Sequence, residues 1–118
     1  MWHELSEINE MSELEFSYTA ETGENSLWFD GHFDDKPILP GIAQTAMVFE
    51  AIQNHESFKG STGIKIKSIR RVRFRRLITP EEEINISIKK NSDSPVNYNF
   101  KIHVKDELAC SGTIETLI

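Results

Sequence analysis

The stretch GHFDDKPILPG, from Gly31 to Gly41, sets a lone histidine, His32, ahead of two prolines, the second followed directly by a glycine. Pro37 fixes one backbone angle, and Pro40 suits the first turn of a helix, where a missing N–H leaves nothing unpaired. Gly41 then has no side chain to shield its own amide. Free N–H groups at a helix start carry partial positive charge, so the pattern predicts a place where a carbonyl oxygen gaining negative charge is stabilised. A histidine beside that oxygen can move a proton near neutral pH.

The loop delivers the chain into a segment, from about Leu39 to Asn54, that reads as a helix. Ile42, Ala43, Ala46, Met47, Val48, Phe49, Ala51 and Ile52 occupy nearly all its sides, which predicts a helix surrounded by protein. On either side of it the period changes to two. Glu13–Ala20 sets Leu14, Phe16, Tyr18 and Ala20 on one face, Ser26–Phe29 reads as a short second strand, and extended segments follow at Ile64–Ile78, Ile84–Lys90, Tyr98–Val104 and Leu108–Leu117. Lys105-Asp106-Glu107 reads as a hairpin turn, and the double arginines of the basic strand, 70–71 and 75–76, carry a phase slip that points to a bulge. One central helix with antiparallel strands curled around it is the simplest α+β arrangement that buries both patterns.

A chain of 118 residues is expected to form one domain, residues 1–118. No apolar run reaches membrane-spanning length, and the leader MWHELSEINEM is acidic rather than basic and then apolar, which points to a cytoplasmic protein and away from a membrane. The net charge of -6 disfavours nucleic-acid binding, although Lys65, Lys67, Arg70, Arg71, Arg73, Arg75 and Arg76 gather in one basic segment. Cys110 is alone, which excludes an internal disulfide, and it reads as a small apolar residue on a strand. His3, His55 and His103 are expected at the surface, and no spacing of histidines suggests a metal.

The spacing H-F-x-x-x-P-x-x-P-G from His32 to Gly41 resembles the signature of the beta-hydroxyacyl-ACP dehydratases of the FabA/FabZ type, which have the hotdog fold. VRFRRLITPEEEINI, Val72–Ile86, is similar to the family's strand segment KFRRPVxPGDxLxI. The resemblance implies a hydro-lyase that converts a 3-hydroxyacyl thioester to the trans-2-enoyl thioester with no metal or organic cofactor. It also implies an acyl carrier protein or another acyl thioester as partner, and a site shared between subunits. His32 is then the base that removes the α-proton, the Gly41 amide polarises the thioester carbonyl, and Phe33, Pro40, Gln44 and Ala46 line the substrate site. Arg75 and Arg76 in the basic segment would receive the acidic carrier, or else form only a solvated face.

The helix position where the family carries its acid holds Ala46, which cannot donate a proton. Glu50, one turn later on the same face, leans back over that place and is a candidate relocated acid. Asp34, Asp35, Gln44 or a water are other holders of the leaving hydroxyl, although Gln44 points to a different helix face from Ala46. The glutamine itself resembles a divergent dehydratase subgroup associated with aryl polyene biosynthesis. The alternative is a noncatalytic or heteromeric subunit that binds acyl thioesters or is completed by a homologous partner. An acyl thioesterase is the third and weakest reading. An apolar helix and open sheet edges lead to the expectation of a homodimer or a higher oligomer.

Overall fold

The computed structural model describes residues 4–5, 9–10, 15–21, 39, 41–58, 63–79, 82–91, 93–94 and 96–117. The elements are β1 (Glu4–Leu5), β2 (Asn9–Glu10), β3 (Glu15–Glu21), α1 (Gly41–Phe58), β4 (Lys65–Phe74), β5 (Glu83–Lys90), β6 (Asn97–Val104) and β7 (Glu107–Leu117). The strands form one antiparallel sheet in the order β1-β3-β5-β6-β7-β4, with β2 also beside β3. The expected strand Ser26–Phe29 lies outside the described residues, and β1 and β2 are short pairings within the leader that its polar composition did not announce.

The two-residue period becomes rows across the sheet. Phe16 faces Ile88, Ile88 faces Phe100, and Phe100 faces Gly112; one step along, Tyr18, Ile86, Ile102 and Cys110 form the next row. All of these but Gly112 are buried, as are Leu39, Ala43, Met47, Val48, Ala51 and Ile52, which come from α1 and the residues leading into it. Full burial of an aliphatic or aromatic side chain stabilises the fold by about 1.5–3 kcal/mol relative to exposure, so this shared interior supplies the main driving force. Gly112 is required by the packing: a Cβ there would lie 2.7 Å from Phe100 Cζ and 3.1 Å from Val72 Cγ2. Cys110 is buried as expected, and burial pushes its thiol up to about 11.

Two local expectations hold. Lys105 and Asp106 both take positive φ, 52° and 65°, which closes β6 to β7 in the tight hairpin twist. The register of β4 against β7 shifts between Arg70 and Arg73, with Arg71 at φ 57°, and shifts again between Ile66 and Ser68.

Two others need correction. α1 runs one turn beyond Asn54 and buries His55, which was expected at the surface; its ring stacks on Phe16, with centroids 3.7 Å apart and planes 7° from parallel. The added turn also buries Glu56, whose carboxylate accepts hydrogen bonds from Tyr98 Oη at 2.9 Å and Lys90 Nζ at 3.3 Å. Burial alone would raise the Glu56 pKa, but Tyr98, Lys90 and His55 outweigh it and hold the carboxyl below its ordinary value. Nor is α1 enclosed on all sides by its own chain. Ile42 is 73% exposed, Gln53 and Asn54 are exposed, and Thr45, Ala46, Phe49 and Glu50 are half-buried, so one stripe of the helix stays open. The pattern in the sequence counts apolar residues, and these residues lie on the flank that the sheet does not reach.

The connections are tied down by a second polar cluster. Arg76 donates to both carboxylate oxygens of Glu82 at 3.1 and 2.8 Å, to Glu107 at 3.0 Å and to the Leu77 carbonyl at 3.0 Å, while Thr79 donates its N–H and its hydroxyl to Glu82, each at 2.9 Å. The Arg76 hydrogen bonds hold the Glu82 carboxyl at about 2, against burial. Because this carboxyl titrates near 4.5 in an unfolded chain, the unfolded state binds more protons between pH 4.5 and about 2. The Glu82 contribution to stability is therefore complete above that window and lost as pH falls through it. Glu82→Gln is expected to cost about 1–3 kcal/mol at neutral pH and to flatten the stability profile within the window, as read by urea unfolding at a series of pH values.

Candidate functional site

The start of α1 is where the sequence motif places the candidate site, and it is the part of that site within the described residues. Two contacts fix the chain as it arrives there: the Leu39 N–H donates to the Ile78 carbonyl at 2.7 Å, and Gln44 Nε2 donates to the Leu39 carbonyl at 3.4 Å. Leu39 is itself buried, so the helix start is anchored in the core and held to the β4–β5 connection. The first turn carries no acidic side chain, and among the described residues only Thr45 folds back onto its carbonyls, donating to Ile42 at 3.0 Å and to Gly41 at 3.4 Å. The positive end of the helix is left without a neutralising carboxylate of its own, the condition that favours an incoming oxyanion.

Gly41 also has a close neighbour that the sequence did not disclose. A Cβ at this position would lie 2.6 Å from Cζ of Phe74, whose ring covers the helix start while remaining 54% exposed. The only signal for this contact is the phenylalanine of Phe74-Arg75-Arg76, which in sequence reads as one more strand residue. Ile42, Phe74 and Leu77, the last 65% exposed, give the described structure three solvent-facing hydrophobic residues around or just beyond this corner in the chain.

Of the expected site residues, Gly41, Gln44, Ala46, Glu50, Arg75 and Arg76 are described, whereas His32, Phe33 and Pro40 lie outside the described residues, as do Asp34 and Asp35. Ala46 and Glu50 share the open stripe of α1, with Glu50 one turn beyond Ala46. Gln44 is buried on the other side, where it holds Leu39, and its Oε1 is buried without a hydrogen-bond partner among the described residues. It thus contacts Leu39, the described residue just ahead of α1, and does not belong to the open stripe. Arg75 is exposed, while Arg76 is committed to Glu82 and Glu107. The second sequence match, Val72–Ile86, thus contains both halves of that ion pair. Among the described residues no group of three potential metal ligands occurs, and no helix is long and apolar enough to cross a membrane.

A family profile described as ApeI-like, ApeI dehydratase, matches residues 6–113. The chain belongs to the ApeI-like dehydratase family. Among curated relatives, this ApeI-like chain is 32% identical over 98 residues to the 3-hydroxyacyl-[acyl-carrier-protein] dehydratase FabZ of Psychrobacter arcticus, covering 76% of the chain and 67% of that enzyme. It is 34% identical over 74 residues to the FabZ of Caldanaerobacter subterraneus subsp. tengcongensis, covering 58% of the chain, and there it spans only half of the relative's length. Among solved structures, the dehydratase heterocomplex ApeI:P from Xenorhabdus doucetiae superposes with a TM-score of 0.83 at 22% identity, with all of both chains covered. The ApeI-like chain accordingly has the α+β hotdog fold, a helix wrapped by a curved antiparallel sheet.

The Phe74–Gly41 contact can be tested directly. Gly41→Ala is expected to push the outer end of the half-exposed Phe74 ring aside and shift the melting temperature by only a few degrees. Adding Phe74→Ala should restore the original melting temperature or exceed it. Calorimetry of the two variants and the wild type checks both outcomes.

Proposed function

We propose that this protein is a cytoplasmic 3-hydroxyacyl-ACP dehydratase-like enzyme that eliminates water to give the trans-2-enoyl thioester. The observation that carries this reading is the family match across residues 6–113, over a helix that starts at Gly41 with no acid in its first turn. In the proposed reaction the thioester carbonyl sits at that helix start, where the developing enolate oxygen meets the Gly41 amide. His32 takes the α-proton, the Cα–Cβ double bond forms, and the hydroxyl leaves with a proton from Glu50 as water. Glu50 is proposed for that role because it is the carboxylate on the open stripe next to Ala46.

Partners follow from the same corner. β4 ends the described sheet, and beside it the exposed Ile69, Phe74 and Leu77 join Ile42 in a surface suited to a second subunit. We read this as the dimer contact, with either another copy or a homologous chain. The heteromeric reading is supported by one feature of the site: Ala46 leaves the family's acid position empty on a helix face that the chain itself leaves open. Arg75 is the proposed receptor for the acidic acyl carrier protein, with Arg76 holding the connection beneath it.

The test is to incubate the purified protein with 3-hydroxyacyl-ACP and follow the loss of one water by mass spectrometry. Wild type should turn over, and His32→Ala and Glu50→Gln should each lose about 10²-fold or more. Full activity in Glu50→Gln would remove the relocated acid from the mechanism. A silent wild type that is restored by a homologous partner would establish the heteromeric subunit instead.

Docking has its own readout. Arg75→Gln should lower the rate on carrier-bound substrate about fivefold or more while leaving a short soluble thioester nearly unchanged, since a rim charge acts mainly on encounter with its partner. Equal losses on the two substrates would count against carrier docking there.

A further inference from the structure

The face of the sheet turned away from α1 carries a groove of about 530 Å³. Its cations are Arg71, Lys89 and Lys101, and Ser87, Asn99 and Ser111 offer hydroxyls and an amide between them. The register explains the assembly: Ser87 faces Lys101, Lys101 faces Ser111, and Lys89 faces Asn99, so alternate residues of β5, β6 and β7 converge on one side. A smaller hollow of about 290 Å³ shares Arg71, Asn99 and Thr113 with the groove and adds Arg70. This is a concentration of positive charge on a chain whose net charge is -6.

Three observations mark it as more than a solvated sheet face. The one carboxylate lining the groove, Glu15, reaches Lys89 at 3.5 Å, which leaves Arg71 and Lys101 without an ion-pair partner among the described residues. Arg71 is delivered by the bulge: two residues, Arg71 and Val72, intervene where β7 has only Gly112, so Val72 packs toward Phe100 and Gly112 while Arg71 lines the groove. That delivery places a non-glycine residue at φ 57°, a conformation costing on the order of 1–3 kcal/mol, which the fold retains at the residue lining both hollows.

We propose that this groove is a binding site for a phosphate-bearing small molecule, separate from the thioester site and independent of the dehydratase reading. The guanidinium fork of Arg71 matches two oxygens of a phosphate, Lys101 supplies a point charge, and the Ser87 and Ser111 hydroxyls can donate to the remaining oxygens. A carboxylate would use the fork but leave the other donors idle. The volume exceeds that of a single phosphate and lies within the range of small-ligand pockets.

The test is calorimetric titration of the full chain with inorganic phosphate, pyrophosphate and ADP, alongside sedimentation to record its oligomeric state. Saturable binding with one site per chain is expected, weakened by added salt. Equal affinity for pyrophosphate and ADP would identify the phosphates alone as the recognised group, and tighter ADP binding would show that the rest of a nucleotide fills the groove. Arg71→Gly suits the positive φ and should keep or raise stability, yet it should weaken binding about tenfold or more, as should Lys101→Met. Lys65→Gln, on the same strand outside the groove, should bind as wild type does. Absence of saturable binding to all three ligands, or undiminished binding by Arg71→Gly and Lys101→Met, would overturn the proposal. So would an oligomer that dissociates in Arg71→Gly, because the groove would then be a contact between copies of the chain.

Discussion

A sheet face repeating every two residues and a helix flank repeating about every 3.6 must close on each other here, and most of the structure is arranged around that packing. The contact is governed by ring and methyl positions in the rows through Phe16, Ile88 and Phe100, and through Tyr18, Ile86 and Ile102. It determines where glycine is needed: Gly112 makes room for Phe100 from one side and Val72 from the other. It also determines which flank of α1 is left over. The stripe from Ile42 past Ala46 and Glu50 is open because the opposite stripe, with Ala43, Met47, Val48, Ala51 and Ile52, is fully used.

The parts of the fold legible in the sequence are those set by local period and turn chemistry. Ile84, Ile86 and Ile88, and Tyr98, Phe100, Ile102 and Val104, alternate cleanly with polar residues and are all buried in the structure. Of the two double arginines, Arg70-Arg71 marks a bulge, whereas Arg75-Arg76 falls just past the end of β4. What was illegible depends on contacts between distant segments. His55 looks like a helix-end surface residue until Phe16, thirty-nine positions earlier (55 minus 16), is laid against its ring. Arg76 looks like one more charge in a basic run until the turn brings Glu82 back to it and the β6–β7 hairpin brings Glu107.

The candidate site divides along the same line. Its glycine and the helix that follows were readable because a Pro-Gly helix start is a local event, and the place of Glu50 one turn after Ala46 follows from helical spacing alone. Phe74 over Gly41 was hidden, since nothing in either segment names the other. One wall of the helix start is thus built by the strand that also carries the basic residues. The chemistry proposed at Gly41 and the recognition proposed along β4 meet at one strand end, just before the connection to β5 that the Arg76–Glu82 pair closes.

The bulges in β4 also bear on how this protein avoids its own kind. Its longest evenly paired run against β7 is three residues, Ser68–Arg70, with interruptions on both sides. A long flat strand at the end of a sheet invites another to add in any alignment, and then another, until a fibre grows. An edge broken twice within ten residues admits a neighbouring strand only where the kinks match. Irregular backbone of this kind works as a keyed joint, open to a chain with the complementary shape and closed to indiscriminate growth.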